Sequence, residues 1–378
     1  MKSDVIELGV RAALVDGALV PGDVRIAAGQ VAEVGVPGAP GAHGIAVPGF
    51  IDLHINGFAG VDFLTAEPDD YLAVGRALAA TGVTAYVPTF VTSPLDTYQR
   101  ALRAVSDAAA DGGPRLLGVH LEGPFISHRW AGAHDERYIQ RPDRTIAGEL
   151  CDAGPVRVVT LAPELPGGLE LVEYLSRRGV IVSCGHSDAD ARTAHRAFDR
   201  GARAVTHIYN AHRRWQPRDP GLAGAALVRD DVTVQAIVDD VHLAPETAYA
   251  AFLATGERFC LVTDAVAAAG LPSGDSRLGH QSVQVRDGEV RLPDGRLAGS
   301  VLTMERAVAN LVQKGASLAA AVHAASRAPA LLIGRPDLGR LAVGHPADIA
   351  VLDDDLAVMR TLVGGVELDV SPPLGELL

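Results

Sequence analysis

Residues 180–210, VIVSCGHSDADARTAHRAFDRGARAVTHIYN, contain one complete repeat of a strand, a helix and a second strand. The apolar runs at the two ends predict buried strands, and DADARTAHRAFDRG between them predicts a helix that ends at a glycine suited to a C-cap. One histidine follows each strand directly, His186 after the first and His207 after the second. Since parallel strands are joined by helical crossovers, the repeat predicts that both histidines lie at the same edge of a parallel sheet.

The same rhythm extends over most of the chain, where eight apolar runs are separated in most cases by helix-like stretches. The eight runs are IDLHI, TAYVPTF, LLGVHLE, VRVVTLA, VIVSCGH, AVTHIYN, TVQAIVD and FCLVTDA. Strands that are covered on both faces read as continuous apolar runs. The sequence therefore predicts an α/β fold, a (β/α)8 TIM-like barrel, in which the carboxyl ends of all strands open onto one face.

Both ends of the chain have a different pattern from the barrel region. Residues 1–47 contain short alternating segments such as DVRIAAG and QVAEVGV, which predict a small sheet. Residues 344–378 return to strand character in ADIAVLDDDLAVMRTLVGG, and we expect this tail to pair with the N-terminal segment. Residues 48–343 form the predicted barrel domain between them.

Further elements follow the eighth run. The segment SVQVRDGEVRLPDGRL, with its DG turn, predicts a β-hairpin on the rim of the barrel mouth. The segments MERAVANLVQKG and LAAAVHAASRAPALLIG predict one further helix each.

Composition argues against several classes of function. The chain of 378 residues has a formal net charge of -13 and 33 basic residues, of which only Lys2 and Lys314 are lysines. This balance offers no basic face for nucleic acid or an anionic membrane, so a phosphate group must be held by arginine, histidine or backbone amides. The odd number of cysteines, without paired metal spacing, indicates a reducing compartment. The N-terminal segment has no unbroken apolar stretch, and we expect a cytoplasmic protein.

Six side chains that can bind a metal or transfer a proton lie at the carboxyl ends of these runs. They are His54, Glu122, His186, His207, His242 and Asp264. One glutamate and two histidines match the ligands of a catalytic zinc site, so we predict Glu122, His186 and His207 as metal ligands. A bound metal makes hydroxide available as a nucleophile near neutral pH. Asp264 is predicted to accept the proton as general base and to return it to the leaving nitrogen as general acid.

Each of these residues also has a structural interpretation. A single histidine at a strand end is often a hydrogen-bonding residue, and Asp264 alone could cap the segment after it. The position of all six on one rim favours the functional interpretation. We interpret His120 as a core residue or a support for a ligand, and Glu164 as a hydrogen-bonding residue of the rim. Histidines away from the strand ends are interpreted as structural or solvent-facing, namely His43, His195, His280, His323 and His345.

A set of motifs occurs together and in a characteristic order. The motifs are PGFIDLHING, GVHLEGPF, GAH, LAPE, GHS, THIYNA, PGLAGA, LVTDA and LAGSVLTMERAVANL. With them the chain resembles the amidohydrolase superfamily and, within it, the N-acetylglucosamine-6-phosphate deacetylases. The similarity extends from about Pro48 to the tail RLAVGHPADIAVLD and covers nearly the whole chain.

The resemblance implies a barrel flanked by a β-sandwich that the two chain ends form together. It implies hydrolysis of the acetamide of N-acetyl-D-glucosamine 6-phosphate to glucosamine 6-phosphate and acetate, a reaction of amino-sugar catabolism and cell-wall sugar recycling. It supports Glu122, His186 and His207 as ligands and Asp264 as proton acceptor and donor. It also implies a homodimer in which an arginine of the neighbouring subunit can bind the phosphate. The substrate contacts that it implies are Ala133, His134, Asn210, Ala211, Arg218, His242, Leu297, Ala298 and Gly299.

Two departures from the wider superfamily concern the metal. Many relatives carry His-x-His on the first strand, whereas this chain has His54 and Asn56, and asparagine is a poor replacement for an imidazole at a zinc site. His54 is therefore either a ligand of a weak second site or a support for the first. A carbamate-bridged pair of metals needs a lysine on a strand, and Lys2 and Lys314 lie outside the predicted strands. We expect one divalent metal per subunit, with zinc favoured and iron, cobalt or manganese as alternatives.

Two loops bear on specificity. After YNA the chain reads His212, Arg213, Arg214 and Trp215, and these arginines could bind an anion or be solvated. The loop SHRWAGAH, residues 127–134, could fold over the sugar as a lid or be an ordinary surface loop. Sequence leaves open how His134 and His242 divide the tasks of polarising the amide carbonyl and holding a hydroxyl or the phosphate.

Three other functions are compatible with parts of this pattern. Deacetylation of N-acetylgalactosamine 6-phosphate or another N-acyl amino sugar is the nearest, because one ring hydroxyl separates the two phosphorylated sugars. A cyclic-amide hydrolase or a deaminase would use a similar rim, and its product would be a ring-opened amide or ammonia. A non-catalytic barrel scaffold would be expected to have lost the ligand set that is present here.

Overall fold

The computed structural model describes residues 5–38, 40–108 and 112–369. The N-terminal segment consists of short strands, as its alternating pattern predicts. These strands are β1 (Val5–Glu7), β2 (Ala12–Val15), β3 (Ala18–Pro21), β4 (Asp23–Ala27), β5 (Gln30–Val36) and β6 (Ile45–Pro48).

The central part of the chain forms the parallel barrel that the apolar runs predict. Its strands, with three short ones beside them, are β7 (Phe50–Ile55), β8 (Gly57–Phe58), β9 (Val61–Asp62), β10 (Val83–Val91), β11 (Arg115–Leu116), β12 (Val119–Glu122), β13 (Val156–Leu161), β14 (Ile181–Cys184), β15 (Ala202–Val205), β16 (Thr233–Ala236) and β17 (Phe259–Leu261). Eight of them pair in parallel in the order β7, β10, β12, β13, β14, β15, β16 and β17. Each of the eight overlaps one predicted run, so the TIM-like barrel is confirmed.

The barrel closes nearly completely between its last and first strands. The backbone N–H of Asp264, beyond the end of β17, donates to the carbonyl oxygen of His54 in β7 at 2.8 Å. The N–H of Asn56 donates to the carbonyl oxygen of Ala265 at 2.7 Å. These two bonds hold the first and last strand ends together, and so bring Asp264 beside His54 at the barrel mouth.

Helices cover the outside of the barrel. They are α1 (Asp70–Ala79), α2 (Leu95–Asp107), α3 (Arg144–Ala153), α4 (Gly168–Arg177), α5 (Ala191–Asp199), α6 (Gly221–Leu227), α7 (Pro245–Thr255), α8 (Met304–Gln313), α9 (Leu318–Ala325) and α10 (Arg327–Leu332). Helix α5 shows why the sequence folds in this way. Asp190 caps its first turn by accepting the N–H of Thr193 at 2.8 Å. Ala194, Ala197 and Phe198 recur at helical spacing and are buried in the main core between helices and strands.

The segment LAAAVHAASRAPALLIG differs from the prediction of a single helix. It forms two helices, α9 and α10, with a break at Ser326. In a continuous helix the nitrogen of Pro329 would face the carbonyl oxygen of Ala325. Proline has no N–H to donate to that oxygen, and its ring would clash with it. The chain therefore leaves helical geometry at Ser326, whose φ is -131° and ψ is -64°.

The predicted hairpin on the rim is confirmed and belongs to a four-stranded antiparallel sheet. Its strands are β18 (Gly274–Leu278), β19 (Gln281–Arg286), β20 (Glu289–Arg291) and β21 (Leu297–Ser300). Asp287 and Gly288 join β19 to β20 with φ values of 50° and 77°. Two positive φ values in a two-residue turn match the twist of paired strands, and the DG sequence supplies them at low cost.

The tail pairs with the N-terminal segment, as expected. Its strands are β22 (Ile349–Leu352), β23 (Val358–Val363) and β24 (Val366–Glu367). They extend a six-stranded sheet in the order β24, β23, β22, β6, β2, β3, and the strands β1, β4 and β5 form a second sheet. Val24, Ile26, Ile349 and Val351 belong to a small buried core of this region. The domain division at residues 47 and 344 stays a prediction.

Within the described ranges, no helix is both long and apolar enough to span a lipid bilayer. Cys184 and Cys260 are fully buried in β14 and β17, and Cys151 is partly buried in α3. All three thiols are free.

One buried carboxyl group makes stability depend on pH. Glu305 in α8 accepts a hydrogen bond from the hydroxyl of Thr303 at 2.8 Å. Its Oε2 is shielded from solvent and has no hydrogen-bond partner among the described residues. Burial disfavours the charged form and raises the pKa of Glu305 to about 7.

We predict that Glu305→Gln removes this pH dependence. The folded protein keeps the Glu305 proton up to about pH 7, whereas the unfolded chain loses it near its ordinary pKa, so wild-type stability falls as pH rises through this window. Relative to the glutamine variant, the wild type should lose roughly 3 kcal/mol of unfolding free energy between pH 4.5 and 7. Urea unfolding at a series of pH values measures the difference. Parallel pH profiles for the two proteins would contradict the prediction.

Candidate metal centre and active site

The three predicted ligands converge at the barrel mouth. Glu122 is the last residue of β12, and His186 and His207 lie two residues beyond β14 and β15. Glu122 Oε1 lies 3.0 Å from His186 Nε2 and 2.9 Å from His207 Nε2. The two Nε2 atoms are 3.2 Å apart. One oxygen and two nitrogens thus surround a point at which a single cation can be held.

Unusual backbone conformations aim these side chains at one another. His186, His207 and Asp264 have φ values of 48°, 25° and 51°, a region that residues other than glycine seldom adopt. Such strain persists only where surrounding structure imposes it, and it is concentrated at functional sites. Gly185 also has a steric role, because a Cβ there would lie 2.9 Å from atoms of Thr160 and Thr206. The strand ends are therefore shaped to point inward.

Hydrogen bonding fixes which nitrogen of His186 is free to bind a metal. His186 Nδ1 lies 2.8 Å from the carbonyl oxygen of Trp130. A carbonyl oxygen can only accept, so Nδ1 carries the proton and Nε2 keeps its lone pair towards Glu122. His207 Nδ1 is buried without a hydrogen-bond partner among the described residues. The donor set and the orientation of His186 fit a zinc-type cation.

Electrostatics keep the carboxyl group of Glu122 ionised. Burial alone would raise the pKa of Glu122, but the imidazoles of His54, His134 and His186 lower it by more. Its pKa therefore lies well below the usual range. A buried carboxylate surrounded by imidazoles is a strong ligand for a divalent cation.

A second group of potential ligands adjoins the first and shares Glu122. His54 Nε2 lies 3.5 Å from Glu122 Oε2 and 3.2 Å from Asp264 Oδ1. Asn56 Nδ2 donates to Asp264 Oδ1 at 2.6 Å. Asn56 stands where many relatives carry the second histidine of the first strand, and its amide holds Asp264. His54, Glu122 and Asp264 are close enough together to bind a second cation weakly.

His134 reaches the same centre from the loop after β12. The backbone N–H of Thr92 donates to His134 Nδ1 at 3.1 Å, and the Thr92 hydroxyl lies 2.8 Å from the same nitrogen. Because Nδ1 accepts, the proton of the neutral ring is on Nε2, which lies 3.3 Å from Glu122 Oε2. His134 therefore presents an N–H donor to the centre.

A cavity of about 410 Å³ lies above these residues. Its walls include seven of the nine residues expected to contact substrate: Ala133, His134, Asn210, Ala211, His242, Leu297 and Gly299. Ala298 is fully buried behind the wall. Arg218 is exposed on its loop and does not line this cavity. The structure thus brings together the candidate metal ligands and most of the expected contacts, but not Arg218.

Arg129 and Trp130, in the loop of residues 127–134 that the sequence singled out, line the cavity. Sequence reasoning missed Arg296 and Asp239. Arg296 lines the cavity, and its guanidinium donates to the carbonyl of Gly132 across the mouth. Asp239 Oδ2 lies 2.7 Å from His242 Nδ1 and orients that ring. The sequence DDVH does contain a signal for the contact between Asp239 and His242, because a carboxylate three residues before a histidine in a turn can reach the imidazole ring.

The arginine-rich loop after YNA is held by acidic groups. Arg213 pairs with Asp219 at 2.6 Å and donates to the backbone carbonyl of Asp188 at 3.3 Å. His212 is buried, and neither ring nitrogen has a hydrogen-bond partner within the described part of the chain. Arg213 is therefore paired within the loop, which neither alternative, anion binding or a solvated charge, had named, whereas Arg214 is exposed.

His120 and Glu164 occupy the supporting positions that were expected of them. His120 is buried one layer below the mouth, with Nδ1 3.1 Å from the Thr89 hydroxyl and Nε2 2.7 Å from the Thr160 hydroxyl. Glu164 accepts hydrogen bonds from the hydroxyl of Ser187 and the N–H of Asp188, both at 2.6 Å.

An eight-stranded barrel with a glutamate and two histidines at its mouth defines a metal-dependent hydrolase. The chain belongs to the amidohydrolase family, whose sequence profile matches residues 45–368.

Individual relatives narrow the comparison. The chain is 35% identical over 358 residues to the N-acetylglucosamine-6-phosphate deacetylase of Lysinibacillus sphaericus. The aligned region covers 91% of this chain and 92% of that protein. It is 36% identical over 326 residues to the N-acetylgalactosamine-6-phosphate deacetylase of Escherichia coli O157:H7, with coverage of 84% and 86%. A mutant of the N-acetyl-D-glucosamine-6-phosphate deacetylase of Mycobacterium smegmatis, solved in complex with N-acetyl-D-glucosamine 6-phosphate, superposes with a TM-score of 0.90 at 35% identity. The match covers 97% of this chain and 99% of that one.

We predict that Glu122→Gln abolishes metal binding, because the amide has no charge to offset that of a divalent cation. Glu305→Gln is the matched control, since Glu305 is also a shielded carboxyl group but accepts from the hydroxyl of Thr303 and does not face the metal centre. Elemental analysis of both purified variants measures the metal per chain. Equal metal content in the two variants would contradict the assignment of Glu122.

Proposed function

We infer that this protein hydrolyses the acetamide of N-acetyl-D-glucosamine 6-phosphate, with glucosamine 6-phosphate and acetate as products. The observation that carries the inference is the convergence of Glu122, His186 and His207 within 3.2 Å of one another, beside Asp264, in a cavity of suitable size. The relatives in Lysinibacillus sphaericus and Mycobacterium smegmatis, whose names give this activity, support it over nearly the full chain.

Glu122, His186 and His207 would hold one divalent cation per subunit, and zinc fits this oxygen and nitrogen donor set best. When bound, the cation lowers the pKa of a coordinated water towards neutrality and polarises the acyl oxygen of the substrate. The protein supplies the geometry, because the Trp130 carbonyl keeps the Nε2 lone pair of His186 available.

Asp264 is the proposed proton acceptor and donor. Burial alone would raise the pKa of Asp264, but the adjacent His54 imidazole lowers it by more, so the carboxyl group is ionised at neutral pH. The amide of Asn56 holds Oδ1 at 2.6 Å and so limits rotation of the carboxylate. Asp264 can therefore take a proton from the attacking water and pass it to the leaving nitrogen.

His134 is proposed to donate its Nε2–H to the acetamide carbonyl oxygen. Thr92 holds Nδ1 as an acceptor, which leaves the Nε2 proton directed into the centre. Stabilisation of the developing negative charge by a preorganised donor is worth most in a site with little water, and His134 is buried. In this proposal His134 binds the acetamide carbonyl oxygen. His242, which Asp239 orients, then binds a sugar hydroxyl or the phosphate.

Arg218 is proposed to act in the cavity of a neighbouring subunit. It is an exposed arginine on the loop beside the cavity, and within its own chain it does not reach the cavity wall. A guanidinium suits a phosphate because it offers a planar, permanently charged set of donors. We therefore propose a homodimer in which Arg218 completes the partner's phosphate site. A cytoplasmic location agrees with the three free thiols.

N-acetylgalactosamine 6-phosphate is the alternative substrate, favoured by the Escherichia coli O157:H7 relative. The two sugars differ in the orientation of one ring hydroxyl. Acetate release measured on both sugars, with and without the 6-phosphate, distinguishes the two candidate substrates. A higher kcat/KM for the galacto sugar would overturn the gluco assignment.

We predict that Asp264→Asn lowers kcat by about 10²–10⁴-fold, since this is the range that a positioned acid–base group contributes. Metal content should be retained, because Glu122, His186 and His207 are unchanged. Acetate release and elemental analysis on the same preparation test both statements. Near-normal turnover would remove Asp264 from its role.

We predict that Arg218→Ala raises KM for the phosphorylated sugar at least about tenfold, because one charge-assisted contact to phosphate is lost. KM for N-acetylglucosamine without phosphate should stay unchanged, which provides the internal control. An equal effect on both substrates would show that Arg218 does not contact the phosphate.

A further inference from the structure

The loop of residues 127–134 makes two hydrogen bonds with His186, one of the proposed metal ligands. The backbone N–H of Ser127 donates to the carbonyl oxygen of His186 at 2.9 Å. His186 Nδ1 donates to the carbonyl oxygen of Trp130 at 2.8 Å. The first bond fixes the backbone of His186, and the second fixes the orientation of its ring. The placement of Nε2 therefore depends on where the Trp130 carbonyl lies.

The side chain of Trp130 is itself anchored. Its indole Nε1–H donates to Asp188 Oδ1 at 2.8 Å. The N–H of Asp188 donates to Glu164 Oε1 at 2.6 Å, so the backbone that carries the acceptor is also held. Asp188 lies two residues after His186. A closed ring of bonds thus runs from His186 to Trp130, from Trp130 to Asp188, and back to His186 through the chain.

The same loop forms one wall of the cavity. Ala133 and His134 lie three and four residues after Trp130 and face the substrate space. Gly132 packs against His186, because a Cβ at Gly132 would lie 3.3 Å from His186 Cε1. The ring of bonds therefore links the cation site to the wall that contacts substrate.

We propose that Trp130 is a positioning residue for the cation, and that Asp188 acts through it. The indole of Trp130, held by Asp188, keeps the Trp130 carbonyl on His186 Nδ1 and so keeps His186 Nε2 aligned with Glu122 and His207. Groups that orient a ligand histidine commonly change metal affinity by about 10–100-fold when they are removed. The inference rests on the metal site of the proposed function and adds to it two residues that no ligand motif contains.

The chain offers a matched control, because it contains only two tryptophans, Trp130 and Trp215. Trp215 is 47% exposed and packs near Tyr209 at a ring distance of 6.2 Å. Trp130→Phe and Trp215→Phe each remove one indole N–H and keep an aromatic ring. Only the first removes the bond to Asp188.

The experiment measures the zinc dissociation constant of each metal-free protein by competition with a chromogenic chelator. Trp130→Phe should weaken zinc binding about tenfold or more. Trp215→Phe should stay within about twofold of wild type, since surface substitutions away from specific contacts have small effects. Asp188→Ala removes the indole bond and also the ion pair of Asp188 with Arg129 at 3.0 Å, so its loss should equal or exceed that of Trp130→Phe. The double variant Trp130→Phe/Asp188→Ala should lose no more than Asp188→Ala alone, because Trp130→Phe then breaks a bond that is already absent.

The thermal midpoint of each metal-free variant separates positioning from general destabilisation. It should match that of metal-free wild type, with the loss confined to zinc affinity. Wild-type affinity in Trp130→Phe, or additive losses in the double variant, would overturn the inference while leaving the proposed function intact. Failure of the wild type itself to bind zinc would instead overturn the proposed function.

Discussion

The buried carboxylate of Glu122 is the constraint on which the site depends. A charge in the interior is tolerated only when opposite charges or strong donors surround it. Here the imidazoles of His54, His134, His186 and His207 all lie within 3.5 Å of its oxygens. Each comes from a different strand end or loop, so the carboxylate can be satisfied only when the barrel has closed. The fold and the chemistry are therefore linked through one group.

A layer of polar side chains below the mouth supports this arrangement. Thr160 and Thr206 hydroxyls lie 2.7 Å apart, and Ser183 continues the chain of hydroxyls at 2.6 Å from Thr206. Asp52, one pleat below His54, accepts the hydroxyl of Thr263 at 2.5 Å, and burial raises its pKa to about 6. These residues bond around the barrel interior, which explains why an apolar barrel core can present so many polar groups at one end.

Much of the fold, and the convergence of the candidate ligands, could be predicted from sequence, because both follow from strand ends. An apolar run marks a buried strand, and the polar residue just after it must lie on the barrel rim, as Glu122 and His186 do. Bonds to backbone atoms leave no comparable signal. Two such contacts are the Trp130 carbonyl with His186 and the Thr92 N–H with His134. Both join loops that follow different strands, so they become visible only in the three-dimensional structure. The role proposed for Arg218 requires a second subunit, and the pattern of one chain does not specify how two subunits meet.

The measurement that tests the central claim most directly is a titration of metal-free enzyme with zinc, followed by acetate release from N-acetyl-D-glucosamine 6-phosphate. The proposed site predicts almost no activity without a cation and a linear rise that ends at one equivalent per chain. Undiminished activity in the fully metal-free protein would contradict the role of Glu122, His186 and His207 as the ligands on which hydrolysis depends.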